Sequence, residues 1–424
     1  MLLRDPIHGD IELSPLEAGL LDLPVMQRLR GVKQLGTACL VYPGALHTRF
    51  DHSIGVCAVA HRMVEGLRRA GCAVSAEQEA AVGAAALLHD VTHVPFGHTL
   101  EDERRLFARN DKGSRLGALL AGELGDALER VGLREVVAGL LGAAPLVSPR
   151  WMQDMVSGAV DADLLDYLRR DSFFAGLSHD YDDRIFRAFA IRDDRLVVRL
   201  VKHGMDRPDA RSEILRVLRL RYFLTERVYY HHTKVVAGAM ISKAVEQAVD
   251  HGVLGEADLL ELNDWTLLDR LIHSGVAGAA TLARKVQVRD LLKRGYVVSA
   301  RSVPQDVREE WVARLHHGRS ERARLERQIA AALGIAFEDV VLYCPALTVM
   351  KEAAVPVEVS RGLAFLDDPG DEAHAEIRAL QDRYAGLWRF FVFVPDAVTG
   401  AAAALCGELF GLPSEHRDRG APGA

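Results

Sequence analysis

The run Ala84-Ala-Ala-Leu-Leu-His-Asp-Val-Thr-His-Val-Pro-Phe-Gly-His98 sets an apolar helical stretch against a dense group of polar side chains able to hold a metal. On a helix, His89 and His93 lie four apart on one face, and Asp90 sits about 100° round from His89, where the two can converge on one ion. Pro95 disfavours helix at Val94, which predicts a helix ending near His93. Carbonyls without intrahelical partners at that end favour a protonated imidazole, so His93 is expected to meet an anion. Any one of these histidines alone reads as an incidental core residue. Together with His98 they leave several polar groups in an apolar segment, which is costly unless they ligate, pair or reach a cleft.

Upstream, His47-Thr-Arg-Phe-Asp-His-Ser-Ile-Gly55 brings a second polar group, followed by a mostly apolar helix over 56–67. Arg49 and His52 are three apart and share a helical face, Arg49 suited to fork onto a phosphate and His52 to ligate. Downstream, Thr99 is an N-cap candidate, and the helix it starts places Glu101 one turn from His98. Residues 159–171 carry Asp161, Asp163, Asp166 and Asp171 among apolar neighbours, more acids than a cap needs. The bland reading makes Asp161 a helix cap and gives Asp166 a salt bridge to Arg169 or Arg170.

The rest of the chain sets the frame. Its 424 residues exceed the size at which one core usually stops growing, which predicts a large helical domain plus a smaller lobe. With 49% hydrophobic and 26% charged residues the composition is that of an ordinary globular protein, no stretch has the length of a membrane span, and the N-terminus has no secretory h-region. A cytoplasmic location is therefore expected, with no membrane partner. Five scattered cysteines without CxxC spacing argue against a disulfide framework or a cysteine-ligated zinc. A net charge of -7 gives no strong nucleic-acid signal.

Ser14 and Pro15 predict a helix from there to about Asp22, and apolar residues at 25, 29, 32 and 35 predict a second amphipathic helix. Strands are expected at 195–201, 295–299, 340–344 and 388–394, and helices at 211–230, 233–249, 304–334, 371–386 and 397–410. The fold class is mainly α: a helical core over 1–250, a C-terminal helical and α+β lobe over 251–412, and a disordered tail over 413–424.

The spaced set of His52, then His89-Asp90, then Asp163 resembles the HD-domain metal-dependent phosphohydrolases. Arg4-Asp-Pro-Ile-His-Gly9, Gln27-Arg-Leu-Arg-Gly-Val-Lys-Gln-Leu-Gly36, Phe50-Asp-His-Ser-Ile-Gly55 and the segment 89–98 look like its deoxynucleoside triphosphate triphosphohydrolase branch, over residues 4 to roughly 250. The resemblance implies an HD-domain helical core. It makes His52, His89, Asp90 and Asp163 the ligands of one divalent transition metal, Mn, Fe, Ni, Co or Zn, with Mg accompanying the triphosphate. It places Arg49 on phosphate, His93 and His98 around the α-phosphate and attacking water, Glu101 as their acidic partner and Arg221 on the terminal phosphates. Gln34, Tyr167 and Asp171 would surround the sugar and Tyr229 would lie near the base. It further implies a homo-oligomer, with Asp22, Gln27 and Arg30 at positions that read the guanine of an activating nucleotide.

The implied reaction is water attack on the α-phosphorus of a (deoxy)nucleoside triphosphate, releasing nucleoside and inorganic triphosphate. Two positions depart from the branch: Asn110 stands where it has a catalytic histidine, and Leu164 where it has a phosphate-binding lysine. Asn cannot transfer a proton near neutral pH, and Leu removes a charge. The alternatives are a nucleotide monophosphate phosphohydrolase, a catalytically weak nucleotide-binding sensor or, needing extra ligands, a two-iron oxygenase.

Overall fold

Two capping boxes position the helices that matter most. Thr48 accepts from the Asp51 backbone N–H while the Asp51 carboxylate takes the Thr48 N–H, starting the helix Arg49–Arg69. Ser75 and Gln78 do the same for the helix Ala76–Leu88. In the computed structural model, which describes residues 1–107, 114–347 and 349–416, these helices pack on each other and on Ala162–Phe174. Their shared core takes Val56, Val59, Met63, Ala84, Leu87, Leu88, Leu165 and Leu168, all buried.

Ser14 caps the helix Pro15–Leu21, with Pro15 at its first position as expected. The second expected helix does not persist. Pro24–Gln27 gives way to a tighter turn over Arg28–Gly31, and residues 32–34 run extended against 47–49, with Arg49 N donating to Val32 O (2.8 Å) and Gln34 N to His47 O (3.0 Å). A helix through this point would give up those bonds, and the apolar spacing alone does not register them. The expected helix through His93 is also shorter: it ends at Leu88 with His89 as its C-cap, and residues 90–97 form successive turns. His89 and His93 therefore do not share a helical face.

The helix Pro208–Leu224 continues through a wide turn, Thr225–Tyr229, before His232–Asp250. Strands appear where expected at Arg195–Arg199, Lys293–Ser299, Val341–Tyr343 and Arg389–Val394. The last three form one sheet with Arg389–Val394 in the centre, covered by the helix Thr399–Phe410. Arg195–Arg199 belongs to a second sheet, in which it pairs in parallel with Pro356–Val359. Pro356–Val359 and the helix His374–Ala385 thus join the core built by the N-terminal helices. Residues 413–416 lie along Lys293–Ser299, with Glu415 N donating to Val297 O (2.8 Å); the remainder of the expected tail falls outside the described residues. Among the described residues no helix is long and apolar enough to cross a membrane.

A buried ion network joins the helix His232–Asp250 to Arg319–Leu333. Arg104 reaches Glu326 and Glu246 at 2.8 Å each, Arg322 meets Glu246 at 3.0 Å and Lys243 meets Glu326 at 3.2 Å. Removing one partner from such a network leaves charge buried without compensation. Glu326→Ala is expected to cost about 3–5 kcal/mol in denaturant unfolding; a loss below about 1 kcal/mol, the range of an exposed pair, would show that water reaches the network.

Candidate metal centre

Three segments bring the expected ligands together. His52 comes from the first turn of Arg49–Arg69, His89 and Asp90 from the end of Ala76–Leu88, and Asp163 from the first turn of Ala162–Phe174. His52 Nε2 lies 2.9 Å from Asp163 Oδ1 and 3.2 Å from His89 Nε2. Asp90 places Oδ2 3.7 Å from His52 Nε2 and Oδ1 3.5 Å from His89 Nε2. Donor atoms of His52, His89 and Asp163 all fall within 4.8 Å of one another.

The two imidazoles are oriented from behind. His89 Nδ1 is 2.7 Å from Ala86 O, and since a carbonyl only accepts, the proton sits on Nδ1 and Nε2 faces the centre. His52 Nδ1 is 2.7 Å from Asp166 Oδ2. This is how proteins hold metal-binding histidines, with the far ring nitrogen on a carbonyl or carboxylate. Asp166 also receives His8 Nε2 at 2.6 Å and Arg170 Nε at 2.8 Å, and Arg170 Nη1 reaches Asp5 at 2.8 Å. Gly55 makes this possible: a Cβ there would stand 2.0 Å from Asp166 Oδ1 and 2.2 Å from Arg170 Nη2. Two imidazole Nε2 atoms and carboxylate oxygens form a donor set that fits a divalent transition metal.

Burial disfavours a charge on His52, but its hydrogen bonds to Asp163 and Asp166 outweigh this and raise its pKa to about 10. Burial opposes ionisation of Asp163 and Asp90 as well; hydrogen bonds to His52 and His89 hold Asp163 below the usual carboxylate range, and Arg49 foremost does so for Asp90.

Around the donors stand the other expected residues. Arg49 Nη1 contacts Asp90 Oδ2 at 2.5 Å, and His93 Nε2 contacts Asp90 Oδ1 at 2.9 Å. Burial, with Arg49 close by, pushes His93 down to about 3, so the helix-end argument for a charged imidazole fails: no helix ends there, and a cation is its neighbour. The rings of His93 and His98 stack edge to face at 4.6 Å. His98 Nδ1 is 2.8 Å from Glu101 Oε2, whose other oxygen takes Arg115. Burial opposes charge on Glu101, and His98 with Arg115 brings it to about 2. Glu101 is reached as expected, though from the wide turn Thr99–Glu103, with His98 rather than Thr99 at its cap position.

Tyr167 and Asp171 follow Asp163 one and two turns along its helix and form a connected patch with Tyr229, His47 and Arg221. Tyr229 Oη donates to Asp171 Oδ2 (2.7 Å), His47 Nε2 meets Asp171 Oδ1 (2.7 Å), and the Arg221 guanidinium lies over Tyr167 and Tyr229 at 5.2 and 5.3 Å from their ring centres. Among the described residues, Gln34 Oε1, Arg49 Nε and Arg221 Nε are buried without a hydrogen-bond partner. Buried polar atoms of that kind require an explanation, and a bound ligand supplies one. Gln27 and Arg30 bond each other at 2.8 Å, with Arg30 stacked on Phe50. Asp161 caps its helix through Leu164 N (2.7 Å), as its bland reading predicts, and Leu164 is buried. Asn110 lies outside the described residues.

Sequence reasoning missed His8, His47, Asp5 and Arg28. Nothing in the sequence pattern marks His8 within Arg4–Gly9, while the salt bridge expected for Asp166 with Arg169 or Arg170 forms with Arg170. Arg28 donates to Val91 O (3.2 Å) and His93 O (2.6 Å), fastening the turns after His89.

The HD domain family model matches residues 49–171, and the model of the HD-associated region matches residues 182–420. An uncharacterized protein of Methanocaldococcus jannaschii is 32% identical over 278 residues, covering 64% of this chain and 54% of that protein. Deoxynucleoside triphosphate triphosphohydrolase SAMHD1 of Danio rerio is 30% identical over 284 residues, covering 58% and 45%. The chain spans about half the length of the curated relatives it matches. A crystal structure of a phosphohydrolase from Bacteroides thetaiotaomicron superposes with a TM-score of 0.70 at 24% identity, covering 93% of this chain and 99% of that one, a likeness of fold.

Because carboxylate neighbours, against burial, hold both His52 and His89 above the ordinary imidazole range, and each must free Nε2 before a cation binds, affinity for a divalent metal is expected to rise with pH between 6 and 8, about tenfold per unit for each proton released. Calorimetry in buffers of different ionisation enthalpy would register the released protons; affinity independent of pH would contradict the assignment of His52 and His89.

Proposed function

The chain belongs to the HD-domain phosphohydrolase superfamily, and from that premise we propose that it is a metal-dependent hydrolase of (deoxy)nucleotides, with His52, His89, Asp90 and Asp163 holding one divalent cation. The observation that carries this is the convergence of His52, His89 and Asp163 donor atoms with both imidazoles oriented by Asp166 and Ala86 O. When bound, the cation would polarise a phosphoryl oxygen and lower the pKa of a water.

The protein's own groups supply the rest. Arg49, released in part from Asp90, would pair with a phosphoryl oxygen and offset charge developing at phosphorus. His93, held neutral by burial and Arg49, orients Asp90. His98, oriented by Glu101 as a third group orients a catalytic base, would hand a proton to the leaving nucleoside oxygen. Asp171, His47 and Gln34 would grip the sugar, and Tyr167 and Tyr229 would bound it and the base. Arg221 would take the outer phosphates, though it also faces Glu352 at 3.4 Å. Attack at the α-phosphorus then yields nucleoside and inorganic triphosphate.

One observation favours a shorter substrate. Leu164, where a phosphate-binding lysine is expected, turns its side chain into the core, so this position offers no cation to a phosphate. A nucleoside monophosphate would need none, and the products separate the two readings. Assembly into a homo-oligomer and a guanine nucleotide near Asp22, Gln27 and Arg30 belong to the same proposal, tested by assembly state with and without GTP.

Product analysis on a panel of nucleoside mono- and triphosphates, with Mn, Fe, Co, Ni and Mg supplied separately, is expected to show inorganic triphosphate. Nucleotide binding without release of phosphate or triphosphate would leave a sensor in place of an enzyme. Asp163→Asn should lose the cation of this centre and turnover together, whereas survival of both would move the centre elsewhere. His98→Asn should retain metal and slow turnover about 10²-fold to 10⁴-fold; unchanged turnover would remove His98 from proton transfer.

A further inference from the structure

Beyond the centre described above, the helix Arg49–Arg69 carries a second convergence of ligand-type side chains. Cys57 and His61, four residues apart on one face, both point at Glu17 Oε1 from the helix Pro15–Leu21. Cys57 Sγ is 3.4 Å from that oxygen and His61 Nε2 is 2.6 Å from it. The three donor atoms lie within 4.8 Å of one another, as do those of His52, His89 and Asp163.

Three further features show that Oε1 is aimed rather than incidental. Glu17 Oε2 is taken by Ser14 N and Oγ at 2.8 Å each, which fixes the carboxylate and turns Oε1 toward Cys57 and His61. His61 Nδ1 rests 3.2 Å from Glu79 Oε1, the carboxylate-behind-histidine arrangement seen at the first centre with His52 and Asp166. Gly83, on the helix Ala76–Leu88, leaves the space clear: a Cβ there would stand 2.4 Å from Glu17 Oε1 and 3.1 Å from His61 Nε2. Cys57 and Glu17 are buried, whereas His61 is about a third exposed and leaves a path from solvent.

We propose that Glu17, Cys57 and His61 form a second cation site, taking a zinc-type divalent ion through a carboxylate, a thiolate and an imidazole, with Glu79 as the outer support of His61. The thiolate marks the preference. A soft sulfur ligand beside nitrogen and oxygen selects borderline ions such as Zn(II) or Co(II) over Mg(II). In a tetrahedral zinc complex sulfur and oxygen ligands stand about 3.5 Å apart, close to the present Cys57 to Glu17 spacing. His61, less buried than the other two, would back away by under about 1 Å to reach its bonding distance. Binding releases two protons to solvent, one from Cys57 Sγ and one from His61 Nε2, while Nδ1 keeps its proton on Glu79, and ties the first helix to the one that carries Arg49 and His52.

Cobalt(II) titration of the full chain tests this, because the first centre contains no sulfur and only a cysteine ligand produces a thiolate-to-Co(II) charge-transfer band. The band is expected in the wild type and in Asp163→Asn, where the first centre is weakened. It should vanish in Cys57→Ala and in His61→Gln. Glu79→Gln should lower the affinity read from it about 10-fold to 100-fold. A wild-type spectrum without the band at saturating Co(II) would overturn the proposal whether or not the variants fold. A band that survives Cys57→Ala, and so arises from another cysteine, would do the same.

Discussion

The carboxylate of Asp166 is the contact on which the centre depends. It is buried, and Arg170 outweighs that burial to keep it ionised, helped by hydrogen bonds to His52 and His8. In exchange it fixes the imidazole of His52, which must face Asp163, His89 and Asp90 if they are to meet at all. A buried carboxylate with so many partners tolerates little change. It explains why an arginine is wholly buried at position 170, why Asp5 and His8 of the N-terminal hairpin, in which Leu2–Asp5 pairs with Gly9–Glu12, are drawn in, and why position 55 has no side chain. The helix Arg49–Arg69 approaches Ala162–Phe174 closely for the same reason.

The turns after His89 depend on a second set of anchors. Phe96 adopts a left-handed backbone conformation (φ 61°), which costs a side-chain-bearing residue on the order of 1–2 kcal/mol. Asp264, from the C-terminal half, offsets that strain by accepting from Phe96 N at 2.7 Å and from Lys33 N at 3.1 Å. Arg28 holds the neighbouring carbonyls of Val91 and His93 and also Leu262 O. His93 and His98 are therefore positioned by segments far away in the chain, and the C-terminal half is a structural part of the site's wall.

How much of this was legible follows from what a pattern can encode. The metal-type side chains were found because their residue types are unusual in apolar segments, and their convergence needed only the expectation that such groups are not buried singly. Resemblance singles out Asp163 from four acids; helical spacing alone does not tell it from Asp166, which lies three residues on and so on the same side of the helix. Helix ends were read less well. Pro95 marks where a helix cannot continue, but the helix stops at Leu88, because Arg28 and Asp264 hold the following turns through contacts between distant residues. The parallel pairing of Arg195–Arg199 with Pro356–Val359 was invisible for the same reason, as was the segment 32–34 lying along 47–49. The charge on His93 was misread because a local helix-end argument ignored Arg49.

The central claim is that one cation sits among His52 Nε2, His89 Nε2, Asp90 and Asp163. Crystals of the protein soaked in Mn(II), with anomalous scattering recorded at the manganese edge, test it most directly. The account predicts an anomalous peak within ligand distance of all four side chains, with Asp166 still on His52 Nδ1. Anomalous peaks only elsewhere, with His52 still bonded to Asp163 and no density among the four side chains at saturating manganese, would contradict it.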